Sequence, residues 1–353
     1  MARRKLIWHI GLADAPRAVL GANLLAHRAA LADAGAHVVA TPDEAAAATH
    51  ELLRTHREAG LARVDVEGQW ARICDRVWRT KGVSLLSTPD LCAADKDQLR
   101  FALDQLIGIE VHVVLTVDTF SEQLYGGWLA QLRSGRTTGW DKYVRRVASE
   151  QRDHRQAEEF WAGHDLEQIL ARWGWTFHAE RLHVVAGDGV AVQWQAFLDL
   201  AGVEDQPAPV VPPHADPAGV AVLRRVNRQL EEPMTGSVHL LARADGERQA
   251  MPVVPTPALE PLAERWSAAI AAAGHDLCGS LDRLCERGET TDLPGARDQL
   301  GIAVDALADA LGENARLRLQ VADLEADRER LDRKRRKLKR RLAKAKQGIP
   351  HPA

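Results

Sequence analysis

The sequence has few cysteines, and they follow no ligand pattern. Four cysteines occur in 353 residues, with no CxxC pair and no histidine at a spacing typical of zinc ligands. This absence excludes a zinc-finger type of site. We expect buried or partly buried free thiols at Cys74, Cys92, Cys278 and Cys285.

Long apolar runs are absent as well. No stretch approaches the roughly 18 consecutive apolar residues of a membrane helix, and the basic start MARRK leads into a short strand-like run instead of a signal-peptide core. We therefore expect a cytoplasmic protein. With 46% apolar and 27% charged residues, the chain can bury the core of one large α/β domain and carry an appendage.

Charge is distributed unevenly, which the formal net charge of −3 conceals. Residues 328–346 hold 12 Lys and Arg against Glu329 and Asp332, a local net charge of +10, so the remainder carries −13. An acidic body with a basic end can bind a second copy, a nucleic acid, a membrane surface or an acidic protein. Composition does not choose among these partners.

Strand and helix patterns alternate along the chain. The helix patterns cover Pro16–Gly35, residues 43–80 and Ala93–Ile107, and the strand patterns cover Lys5–Leu12, His37–Val39, Gly82–Ser87, Ile109–Val117 and Leu182–Val185. Ile109–Val117 is the most continuous β-branched run, which is typical of a central parallel strand. The pattern predicts an α/β three-layer sandwich with a central parallel sheet.

Three segments are expected in order. Residues 1–300 form the α/β domain, with a proline-rich connector at 205–217 inside it. Residues 301–347 form a coiled-coil helix with a basic end, and 348–353 form a disordered tail.

The stretch WHIGLADAPRAV, Trp8–Val19, reads as a buried strand, a glycine turn and a helix start. Such a layout normally builds an anion pocket, because the first backbone N–H groups of a helix are unpaired and its dipole leaves positive charge there. Here, however, Asp14 stands where a phosphate would favour a lysine.

Several stretches occur in an order that resembles the sulfotransferase superfamily, and more closely its bacterial sulfotransferase-like members. The resemblance covers about residues 5–290 and is carried by HIGLADAPRAVLGANLLAHRAALADAGAHV, EVHVVLTVDTFSEQLYGGWLAQLRSGR, FWAGHDLEQILARWG, RLHVVAGDG, LRRVNRQL and HDLCGSLDRL. It implies a sulfotransferase-like, P-loop-related fold.

The resemblance also implies where a donor, 3′-phosphoadenosine-5′-phosphosulfate (PAPS), would bind. The family's loop of Pro-Lys-Thr-Gly-Thr-Thr after the first strand is replaced throughout, by Ala13, Asp14, Ala15, Pro16, Arg17 and Ala18 following Gly11. Its arginine after the central strand and its serine eight residues later are replaced by Asp118 and Gly126. The implied donor site is therefore degenerate.

Two interpretations of this loop remain open. Asp14 before Pro16 suits a helix entry, so that the protein's own carboxylate satisfies the helix terminus. Alternatively, Arg17 replaces the missing lysine and keeps a weak anion site. The first favours a non-catalytic binding or interaction protein without a cofactor; the second favours an active sulfotransferase that uses PAPS, an atypical donor site and a carbohydrate or small-molecule acceptor.

Other conspicuous residues are expected to be structural. Tryptophans lie at scaffold positions, and histidines in two strands read as satisfied core residues. His164 and Asp165 stand at a helix start as candidate caps, and Gly187–Gly189 is a turn. The tryptophans are Trp128, Trp161, Trp173 and Trp194, and the strand histidines are His9 and His112.

The end of the chain has a heptad pattern. Leucine repeats every seven residues, and a companion register contains one asparagine. The first register is Leu317, Leu324, Leu331 and Leu338, and the second is Leu307, Asn314, Val321, Arg328, Arg335 and Leu342. Leucine at d with asparagine at a favours a parallel two-stranded coil. We expect a homodimer through residues 307–342, while the basic stretch 328–346 is either a solvated rod or a binding site for an anionic partner.

Overall fold

Strand β1 alternates between two apolar layers. In the computed structural model, β1 spans Lys5–Gly11. Leu6, Trp8 and Ile10 belong to one buried cluster, and Ile7 belongs to another. Because neighbouring side chains of a strand point to opposite faces, this alternation places β1 between two layers of helices.

The structure describes only part of the chain. The described residues are 4–13, 19–187, 189–211, 215–230, 252–254, 256, 259–285 and 293–347. The chain divides into two compact units, Met1–Gly295 and Ala296–Ala353.

A six-stranded parallel sheet forms the centre of the first unit, in the order β2-β3-β1-β4-β5-β6. The strands after β1 are β2 Ala36–Val38, β3 Val83–Ser87, β4 Glu110–Val117, β5 Leu182–Ala186 and β6 Asp276–Gly279. The three-layer α/β prediction is therefore confirmed.

Fourteen α-helices lie in the described residues. They are α1 Val19–Ala26, α2 Arg28–Asp33, α3 Pro42–Leu53, α4 Arg63–Val66, α5 Gln69–Arg79, α6 Lys96–Asp104, α7 Phe120–Arg133, α8 Trp140–Val147, α9 Arg155–His164, α10 Leu166–Gly174, α11 Val190–Ala201, α12 Pro217–Asn227, α13 Glu260–Ala273 and α14 Ala296–Gln347. Short 3-10 turns occupy Pro89–Ala93 and Ala179–Arg181.

Several helix predictions need correction. The helix predicted over Pro16–Gly35 is two helices that break at His27, and its predicted start lies outside the described residues. The helix predicted over Ala93–Ile107 begins only at Lys96, because the Asp95 carboxylate accepts hydrogen bonds from Asp97 N and Gln98 N and caps it. The 43–80 segment, predicted to be helical, contains the three helices α3, α4 and α5.

The tryptophans are core residues, as predicted. Trp8 stacks on Trp70 with ring centroids 5.1 Å apart and meets the edge of Trp173 at 5.6 Å. Trp128, Trp161, Trp173 and Trp194 are all buried. Such rings bury large apolar areas, and they anchor the helices to the sheet.

The proline-rich connector lies against α1 in its described part. The side-chain amide of Asn23 donates to the Val210 carbonyl at 2.8 Å, and Asn23 Oδ1 accepts from Val210 N at 2.7 Å. Trp194 Nε1 donates to the Pro207 carbonyl at 2.8 Å. These contacts satisfy backbone groups that a proline-rich segment cannot pair within itself.

The second unit contains α14, which begins at Ala296, earlier than the predicted start at residue 301. The predicted tail, 348–353, lies outside the described residues. None of the described helices is both long and apolar enough to cross a membrane.

Candidate functional site

A cavity of about 180 Å³ opens at the carboxyl ends of the central strands. Its walls include His9 of β1, Ser87 at the end of β3, Thr116 of β4 and Gln193 of α11. This edge of a parallel sheet is where open α/β folds generally bind ligands. We refer to it below as the edge cavity.

His9 in the edge cavity is fully satisfied. Its Nδ1 lies 2.8 Å from Ser87 Oγ and its Nε2 lies 3.1 Å from Thr116 Oγ1. The Thr116 hydroxyl donates to the Gly11 carbonyl at 3.3 Å, so it accepts from the Nε2–H of His9. Burial lowers the pKa of His9 to about 4. A neutral ring with both nitrogens engaged fits the predicted core histidine, and it does not suit a general base.

Three acidic side chains line the edge cavity. Asp118 follows β4, and its Oδ1 accepts from Gln193 Nε2 at 2.5 Å. Glu122 lies in the first turn of α7, where its backbone N–H donates to Thr119 Oγ1 at 3.3 Å. Asp90 of the 3-10 turn is the third acidic side chain of the described wall, and the described lining residues include no lysine or arginine.

Three of the predicted site residues that the structure describes do not line this cavity. Gly11 ends β1, where an added Cβ would lie 2.7 Å from Cys92 Sγ, so only glycine fits. Ala13 N donates to the Gly163 carbonyl at 3.3 Å, which holds the turn against the end of α9. Gly126 is buried within α7. Of the predicted positions that the structure describes, only Asp118 lines the cavity.

The central part of the predicted loop is not described. Asp14, Ala15, Pro16, Arg17 and Ala18 lie outside the described residues. The two interpretations of that loop therefore stay predictions.

Sequence reasoning missed two of the acidic wall residues, although each had a signal. Asp90 follows a predicted strand in the run STPD, and parallel strands present the residues after their carboxyl ends at one edge. Glu122 stands three residues after Thr119, which is the spacing of a helix capping box.

Of the two predicted caps, His164 and Asp165, only Asp165 caps a helix. Asp165 caps α10 by accepting from Gln168 N at 3.4 Å, and it pairs with Arg152 at 2.6 Å. His164 instead ends α9, where its Nδ1 donates to the Phe160 carbonyl at 2.8 Å. Its pKa falls to about 4 because the ring is buried.

His112 belongs to a polar line on the sheet, away from the edge cavity. Its Nδ1 lies 3.0 Å from His183 Nε2, and its Nε2 lies 3.1 Å from Glu110 Oε1. His183 Nδ1 reaches Asp276 Oδ2 at 2.9 Å. Every ring nitrogen is engaged, which fits the structural role predicted for His112.

The remaining predicted features are also structural. Within the described part of the chain, no three His, Cys, Asp or Glu side chains are grouped as metal ligands. All four cysteines are free, although Cys278 is exposed, contrary to the prediction of burial, because its strand β6 is an exposed edge strand. Gly189, with φ of 92°, leads into α11, and Asp188 of the same turn lies outside the described residues.

No family model matches the sequence, and no curated protein is significantly similar to it. A sulfotransferase from Alicyclobacillus acidocaldarius aligns over 77% of this chain and 93% of its own, at 11% identity and a TM-score of 0.34. At that score the superposition carries no weight for fold or function.

Proposed function

We propose that the chain is a sulfotransferase-like protein that has lost transfer from PAPS and acts, in the cytoplasm, as a non-catalytic binding or interaction protein. The sequence resemblance supports the family. The observation that carries the loss of transfer is Asp118 in the wall of the edge cavity, at the position where the resemblance implies a phosphate-binding arginine.

Charge opposes a phosphorylated donor. Where the resemblance implies a phosphate-binding arginine, the structure has Asp118, whose carboxylate is oriented by Gln193. A carboxylate about 5 Å from a phosphate charge costs roughly 3 kcal/mol at an effective dielectric constant of about 20. Each missing charge-assisted hydrogen bond removes about 1.5–3 kcal/mol more. Together these terms weaken donor binding by roughly a thousandfold or more.

The test is thermal unfolding with 1 mM adenosine 3′,5′-bisphosphate. We expect no rise in Tm, because binding in the millimolar range or weaker stabilises the folded state by less than about 0.5 kcal/mol. A rise of several degrees would instead support an active sulfotransferase with an atypical donor site and would overturn the proposal.

A rebuilt variant supplies the positive control. It carries Ala13→Pro, Asp14→Lys, Ala15→Thr, Pro16→Gly, Arg17→Thr, Ala18→Thr, Asp118→Arg and Gly126→Ser. If it folds, we expect it to bind the nucleotide. A folded variant without binding would contradict the family resemblance. The charge-matched control Asp141→Asn with Glu150→Gln and Glu158→Gln changes three exposed carboxylates outside the cavity and is expected to leave binding unchanged.

A further inference from the structure

Helix α14 exposes an apolar stripe along its length. Leu317, Leu324, Leu331 and Leu338 repeat every seven residues and are between 48% and 69% exposed. A regular stripe of this kind is typical of a helix that pairs with another helix. We propose that a second copy of this chain covers the stripe and that the two α14 helices run antiparallel. This inference is independent of the proposed function.

A parallel pair would bring like charges together. Each residue would then lie beside its own copy, so that Arg328 meets Arg328 and Arg335 meets Arg335 inside the interface. Across the flanking positions, Lys334 would meet Lys339 of the second copy. These contacts oppose a parallel pair, because like charges at interface and flanking positions repel.

In an antiparallel pair, Arg328 no longer faces Arg328 of the second copy, and Arg335 no longer faces Arg335. In such a pair the positions of one heptad register face those of the other. Leu307 then faces Leu338 of the second copy, and Val321 faces Leu324. Arg335 faces the small Ala310, which leaves space for the arginine stem to carry its charged end to water.

Charge complementarity selects the same direction. In the antiparallel register Arg318 faces Glu325 of the second copy, and Glu313 faces Lys334. Two-fold symmetry makes each contact twice. Opposite charges at such flanking positions set the orientation of paired helices.

The two halves of α14 also differ in overall charge. Residues 296–327 hold seven acidic residues and three arginines, a net charge of −4, whereas residues 328–346 carry +10. Antiparallel pairing places the acidic half of each helix beside the basic half of the other. Asn314 and a Glu313–Arg318 contact between the copies favour the parallel pair expected from the heptads. The repulsion between the arginines and lysines of a parallel pair and the complementary charges of the antiparallel pair outweigh them.

Disulfide mapping tests the orientation in the full-length chain. The variant carries Leu307→Cys and Leu338→Cys in a background with Cys278→Ser and Cys285→Ser. Within one straight helix, residues 307 and 338 are about 46 Å apart, so a bond between them can form only between two chains. After mild oxidation and tryptic digestion, we expect peptides that join residue 307 to residue 338.

The outcomes are distinguishable. Peptides that join 307 to 307 and 338 to 338 would overturn the orientation, since they require a parallel pair. A monomeric mass by light scattering, with no cross-link, would overturn the second copy as partner. A monomeric complex with duplex DNA near physiological ionic strength would do the same and would assign the basic half to an anionic polymer. The control pair Leu307→Cys with Leu324→Cys is expected to yield no peptide joining those two residues, because they lie about 20–25 Å apart in either orientation.

Discussion

Two buried histidines are expected to make the protein acid-labile. His9 and His164 are neutral in the folded protein, where burial lowers each pKa from 6.5 to about 4. In the unfolded chain both rings are in water and regain the higher pKa. Between pH 6.5 and pH 4 the unfolded chain therefore binds more protons than the folded protein, so the free energy of unfolding falls as the pH falls.

The expected decrease in the free energy of unfolding is large for a single domain. A folded pKa of about 4 against 6.5 is worth roughly 3 kcal/mol for each histidine. In the middle of this range the two together give a slope of about 2.7 kcal/mol per pH unit. Burial also lowers the pKa of His50 and His112, which adds to the slope in the same direction. Domain stabilities are about 5–15 kcal/mol, so we expect acid to unfold the first unit.

Urea unfolding followed by circular dichroism at several pH values measures this slope. The variant His164→Gln removes one titrating ring, and we expect the slope to fall by about 1.4 kcal/mol per pH unit. The control Leu166→Ala removes a buried apolar side chain from the next helix, so it should lower stability at every pH and leave the slope unchanged. A slope below about 1.4 kcal/mol per pH unit between pH 6 and pH 4.5, which corresponds to one proton, would refute the reasoning. An unchanged slope in His164→Gln would refute it as well.

Three further changes have expected outcomes. Asp165→Ala removes the N-cap of α10 and an ion pair, and it should lower the free energy of unfolding by about 2 kcal/mol; an unchanged urea midpoint would contradict this. Gly279→Ala should lower the free energy of unfolding by about 2 kcal/mol or more in the same assay, because the residue has φ of 90° and an added Cβ would overlap the Ala186 carbonyl. A variant with wild-type stability would contradict that geometry. Truncation after residue 312 should convert a dimer into a monomer by light scattering, and an unchanged mass would exclude α14 as the dimer contact.

The central strands could be predicted because their own composition specifies them. β4 is a run of β-branched residues that suits a strand covered on both faces, and β1 alternates between two cores. The edge strand β6 was not predicted, since Asp276–Gly279 is short and largely exposed. It is a strand because it pairs with β5, and such pairing is a tertiary contact that no local pattern encodes.

The candidate site could be predicted only in part. Asp118 was expected beside the donor position, because the resemblance places it where the family has an arginine after the central strand. Asp90 and Glu122 join it through the order of strands in the sheet and the packing of α7, which spacing along the chain does not give. The hydrogen bond between His112 and His183 likewise depends on the register that pairs Val114 with His183.

The position of β6 has a consequence for how the sheet assembles. His183 and Asp276 lie 93 residues apart in sequence, yet their side chains meet across β5 and β6. Bringing the ends of so long a segment together lowers the entropy of the chain, and this loss comes before the contacts of the strand pair can stabilise it. We therefore expect β6 to dock late during folding and to open first in the native protein, with amide hydrogens that exchange faster than those of β1, which has a neighbouring strand on each side.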